Sequence, residues 1–196
     1  MTGSYLIRRV LLLADPLFLD RETGFVFVYN NFEGYADNAA YQADTTDNIE
    51  GTRIASGAFV KEKGELVIDG NNKYLKQAMA QGTNGIKVKV SLADVPEVAK
   101  YLAIYIKATN SDSLTKFQSF RYTSSGDFVE ITSHIIGDFS ELVDGTYVYI
   151  PITAFASDTA VISLVINTAA GVTAELIFDN ILFTDDFLVI EEPINQ

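Results

Sequence analysis

Between residues 25 and 183, apolar side chains recur at every second position in short runs, and clusters of Gly, Asn, Asp and Ser break the runs apart. Alternation with that period places one side of an extended chain in a core, so it predicts half-buried β-strands. The candidate strands are FVFVYNNF (25–32), AFVKE (58–62), ELVID (65–69), IKVKVSL (86–92) and YLAIYIKAT (101–109). They continue with KFQSFRY (116–122), DFVEIT (127–132), YVYIPIT (147–153), AVISLVIN (160–167) and AELIFDNILF (174–183). Many short strands with little helix between them predict an all-β sandwich.

Residues 73–80, after an Asn-Asn turn, have a helical composition, although a helix that short needs tertiary support. The stretch 34–57 is polar and reads as one long loop, a length usually tied to binding or to an intersubunit contact. Three regions follow: an N-terminal arm at 1–24, the sandwich at 25–183 and a C-terminal tail at 184–196. Arm and tail are both apolar, and an apolar extension needs a surface to dock on.

Charge narrows the partners. The chain has 196 residues with 14 Lys+Arg against 26 Asp+Glu, a net charge of −12. Every Lys and Arg lies at or before Arg121, and residues 127–192 contribute only acids. An acidic half repels phosphate backbones, so nucleic acid is not an expected partner. The apolar run VLLLA near the N-terminus stops at Asp15 and Pro16. A secretory leader needs roughly 7–15 apolar residues and a spanning helix about 20, so neither a leader nor a membrane partner is expected. With no cysteine and with His134 as the one histidine, thiolate and histidine-rich metal sites are excluded.

Alternation also assigns faces. In YLAIYIKAT, Leu102, Ile104 and Ile106 point to the core, and Tyr101 and Tyr105 point away. In YVYIPIT, Val148 and Ile150 point inward, and Tyr147 and Tyr149 outward. Phe120 and Tyr122 share a face of KFQSFRY. Were these strands in one sheet, its outer face would carry Tyr101, Tyr105, Phe120, Tyr122, Tyr147 and Tyr149. Such a stripe suits stacking on pyranose rings, with phenol hydroxyls as polar contacts. It equally suits cross-strand packing or a protein interface. The acids are scattered over turns and strand ends with no matched acid–base pair, and GTNG (82–85) lacks the Lys-Ser/Thr of a phosphate loop. No enzyme activity is expected.

The stretches NNFEGY (30–35), VYIPITAF (148–155) and LIFDNILF (176–183), with the strand rhythm between them, resemble the jelly-roll sandwiches of carbohydrate-binding modules with a galactose-binding-like fold. The resemblance spans about 25–183 and implies a jelly-roll β-sandwich of two antiparallel sheets, here with an extended N-terminal arm. It also implies a structural calcium ion joining the first and last strands, held at the positions of Glu33 and Asp179. Oxygen ligands of this kind suit a hard cation. The other reading of Asp179 and Asn180 is a strand irregularity. The family's sugar-stacking tryptophans have no counterpart, because the chain has no Trp.

A free-standing sandwich with two apolar extensions and no leader predicts a non-catalytic structural or decoration protein of a bacteriophage virion. Its arm and tail would dock on other virion proteins or on copies of itself, and its sheet would contact host glycans. The alternative is a stand-alone, extracellular glycan-binding module of a bacterial polysaccharide-degrading system.

Overall fold

A computed structural model describes residues 25–44, 49–55, 58–61, 64–79, 82–90, 95–109, 114–137, 142–168 and 174–188. The N-terminal arm at 1–24, and with it the docking expected of that arm, lies outside the described residues, as does the tail beyond residue 188.

Twelve strands are present among the described residues: β1 (Val26–Asn30), β2 (Ile49–Ala55), β3 (Ala58–Lys61), β4 (Glu65–Asp69), β5 (Asn72–Met79), β6 (Gly82–Lys89), β7 (Tyr101–Ala108), β8 (Leu114–Thr123), β9 (Phe128–Glu130), β10 (Thr146–Pro151), β11 (Thr159–Thr168) and β12 (Ala174–Thr184). One sheet runs β10-β7-β12-β5-β4, with β1 also paired to β12; the other runs β3-β2-β6-β11-β8-β9. All pairings are antiparallel. From β5 onward the chain passes repeatedly from one sheet to the other, which makes the architecture a jelly-roll sandwich.

The core lies between the sheets. Leu102, Ile104 and Ile106 of β7, Val148 and Ile150 of β10, and Phe178 and Phe183 of β12 meet Ile86, Val88, Ile162, Leu164 and Ile166 of the opposite sheet. The alternation seen in the sequence is therefore realised in β7 and β10.

β12 needs a correction to that alternation. Leu176 and Phe178 face the core, and so do Ile181 and Phe183, which strict period two would turn outward. The register against β7 slips between Asp179 and Ile181, and Asn180 has φ 37°, so one extra residue resets the faces. Asp179 and Asn180 thus mark a β-bulge.

Two sequence expectations are overturned. Residues 73–79 are not helical; 72–79 form β5, because the two-residue Gly70–Asn71 turn pairs Asp69 with Asn72 and places Leu75 opposite Leu66, and residue 80 lies outside the described residues. Gly70 takes φ 61°, which a tight hairpin turn allows glycine at little cost. The stretch 34–57 is not one loop, since it contains β2 and helix α1 (Asn38–Ala43). Asp37 caps α1 by accepting the Ala40 N–H, and Tyr41 buries the helix against the core.

Candidate functional site

The six aromatic residues expected on one face are divided between the two sheets. Tyr101 and Tyr105 are on β7 and Tyr147 and Tyr149 on β10, whereas Phe120 and Tyr122 belong to β8 in the opposite sheet. Alternation assigns a side chain to a face of its own strand and leaves open which strands are neighbours.

The four tyrosines do share the outer face of their sheet. Tyr105 is directly opposite Tyr147, with ring centroids 5.5 Å apart, and Tyr101 meets Tyr149 edge-on at 6.0 Å. This face is nonetheless covered. Tyr105, Tyr147 and Tyr149 are only 8%, 3% and 6% exposed, in a second apolar cluster with Ala103 and Leu182. Part of the cover is the segment after β12. Phe187 packs on Tyr101 and Tyr149 at 5.0 and 4.9 Å, and the Leu188 N–H donates to the Tyr149 hydroxyl at 2.8 Å. The described part of the tail, 184–188, therefore docks on its own sandwich and not on a neighbour; the rest of the tail lies outside the described residues.

The other sheet presents a different surface. Because Ile162, Leu164 and Ile166 of β11 face the core, Val161 and Ser163 face outward, and their cross-strand partners Tyr122 and Phe120 do the same. The β8–β9 hairpin then pairs Tyr122 with Phe128 and Phe120 with Glu130. Its turn is held by Thr123 N–H donating to the Asp127 carbonyl at 2.9 Å, with Gly126 at φ 93°. Phe120, Tyr122 and Phe128 form a continuous aromatic patch: Phe128 lies 5.8 Å from Phe120 and 6.0 Å from Tyr122. Phe120 is buried beneath it, and Phe128 is 60% exposed.

A polar edge borders the patch. Glu130 Oε1 accepts from Gln118 Nε2 at 3.2 Å and from Thr132 Oγ1 at 2.7 Å, which fixes the carboxylate beside the rings. Burial pushes the Tyr122 phenol well above the ordinary tyrosine range. The arrangement combines an exposed apolar ring with positioned hydrogen-bonding groups. Phe128 was absent from the sequence-derived set, although DFVEIT carried the signal: Ile131 enters the core, so Phe128 and Glu130 share a face with odd–even opposition to it.

The positions assigned to calcium are in the other half of the molecule. Asp179, in the β12 bulge, is buried, and its Oδ1 accepts the Asn180 N–H at 2.7 Å while Asn72 Nδ2 lies 3.4 Å from Oδ2. Glu33 Oε1 accepts the Lys73 N–H at 2.9 Å. Among the described residues, no three His, Asp or Glu side chains gather in a metal-binding group. His134 is exposed on a short 3-10 turn. No helix among the described residues is long and apolar enough to cross a membrane.

No family model and no curated protein matches the chain in sequence. Several solved structures follow a similar course. A non-crystalline cellulose-specific carbohydrate-binding module of family 28 superposes with a TM-score of 0.45 at 13% identity, over 73% of this chain and 90% of that one. The family 11 carbohydrate-binding module of the cellulosomal cellulase Lic26A-Cel5E of Clostridium thermocellum gives 0.45 at 13% identity, over 86% and 98%. An exo-β-agarase gives 0.43 at 14% identity, over 86% of this chain and 26% of that one. Likeness at this level concerns fold alone.

Proposed function

We propose that this chain is a non-catalytic glycan-binding module, and that its ligand surface is the aromatic patch on β8 and β9. The observation that carries the reading is the exposed ring of Phe128, seated on Phe120 and flanked by Tyr122, with Gln118 and Glu130 fixed at its edge. An aromatic face stacks on the C–H face of a pyranose ring, and a carboxylate held in place accepts hydrogen bonds from sugar hydroxyls. Glu130 acts here as a positioned acceptor. The covered tyrosines of the opposite sheet act as packing. The virion reading rests on the apolar arm and tail and on the expectation of no leader; the arm at 1–24 lies outside the described residues, and no feature of the described residues favours that reading.

Soluble and insoluble β-glucans are the first ligands to test, since the proteins of similar fold include a module specific for non-crystalline cellulose and one in complex with a β-1,3-1,4-mixed-linked tetrasaccharide. Phe128→Ala is expected to weaken retention in affinity electrophoresis by about 5–10-fold, the equivalent of about 1–1.5 kcal/mol of stacking. Its melting temperature should stay within about 2 °C of the parent, because the ring is mostly in water. Equal retention of the variant and the parent would reject this surface. Failure of the parent to retain any of a panel of β-glucans, agarose and galactans would reject glycan binding.

A further inference from the structure

The loop NNFEGY between β1 and α1 is an unusual piece of backbone. Phe32 is fully buried in the core, yet it has φ 62°, a left-handed conformation that a bulky side chain seldom adopts. Local bonds shape the turn: Asn30 Oδ1 accepts the Phe32 N–H at 2.7 Å, and Asn31 Oδ1 accepts the Glu33 N–H at 3.3 Å. A residue of β5 also holds the loop from outside. Lys73 Nζ donates to the main-chain carbonyls of Glu33 at 3.1 Å and Tyr35 at 2.7 Å, and the Lys73 N–H donates to the Glu33 carboxylate. Its neighbour Asn72 reaches Asp179 in the β12 bulge.

These are the residues that the family resemblance would give to calcium, and they do not fit that ion. Calcium requires six to eight oxygens at about 2.3–2.6 Å. Here the Glu33 and Tyr35 carbonyls point at an ammonium, and one oxygen of each carboxylate is engaged by a backbone N–H. A divalent ion drawing on the same carbonyls would sit against that positive charge, which opposes its binding. We infer that Lys73 is a built-in cation: its ammonium closes the NNFEGY loop and ties the first strand to β5, and the sandwich holds this junction without a bound divalent ion.

Thermal melts of the full chain test the inference. The parent is expected to melt at the same temperature in EGTA and in millimolar calcium chloride. Lys73→Met keeps the aliphatic stem and removes two charge-assisted hydrogen bonds, so it is expected to melt about 4–8 °C lower than the parent in EGTA. Hydrogen exchange at the Glu33 and Tyr35 amides should speed up more in that variant than exchange in β11. A calcium-dependent rise in the parent's melting temperature would overturn the inference, and so would a Lys73→Met variant that melts with the parent. If Lys73→Met does not fold, the calcium response of the parent alone decides.

Discussion

Gly145→Ala is expected to lower the melting temperature by about 6–12 °C, from a loss of about 3 kcal/mol at about 2–4 °C per kcal/mol for a chain of this size. Two costs add. Gly145 has φ 95°, where an L side chain costs about 1–2 kcal/mol. A methyl group there would overlap the Tyr105 hydroxyl and come within 2.7 Å of Tyr105 Cζ. Tyr105 cannot simply swing aside, because its ring is packed against Tyr147 in the apolar cluster, and displacing it adds about 1–3 kcal/mol. Gly126→Ala is the control. Its φ is 93°, and a methyl group there would meet nothing within 4 Å, so only the backbone cost should appear. Chemical denaturation of both variants separates the two contributions. Equal losses would mean that the tyrosine packing does not resist the methyl group, and a Tyr105→Ala background should recover part of the Gly145→Ala loss.

The second large effect is expected at Phe183. Its ring is fully buried, meets Tyr29 edge-on at 5.5 Å and lies 6.5 Å from Phe27, so it pins β1 to β12. Phe183→Ala removes that contact and leaves a cavity between strands, at a cost of about 3–5 kcal/mol. Phe183→Leu, which fills most of the volume, should cost markedly less. The loss should be local as well as global: amide exchange in β1 is expected to accelerate beyond that in β6 and β11. A uniform change across both sheets would mean that Phe183 supports the core as a whole and does not anchor the first strand.

Much of this fold was legible where side-chain alternation alone decides. β7 and β10 each show it cleanly, and the core faces of Leu102, Ile104, Ile106, Val148 and Ile150 follow directly. β5 reads as helical in sequence because Lys, Leu, Gln, Ala and Met are good helix formers, whereas its strand state is imposed by pairing with β4 and with distant β12. In α1 the local signal was present, an Asp37 cap ahead of Asn38–Ala43, but a one-and-a-half-turn helix is too short for periodicity to reveal. The candidate surface fared similarly. That Phe120 and Tyr122 share a face could be read from spacing, whereas their separation from the tyrosines depends on β8 pairing with β11 and β7 with β12. The burial of Asp179 was not legible, because the bulge that brings Ile181 and Phe183 to the core is set by pairing with the partner strand.

The position of β12 bears on how the molecule is made. This last strand is the centre of its sheet: β7 runs along one edge, and β5 and β1 share the other end to end. β1 is synthesised before the other described strands, yet its only strand partner among the described residues is the last of them to be made. Until residues 174–184 clear the ribosome, three strands of the nascent chain wait with unsatisfied edges, exposed to other chains and to chaperones. Stop codons shortly before residue 174 should therefore yield insoluble fragments, whereas interruption just after residue 188 should release a chain whose central strand is already in place.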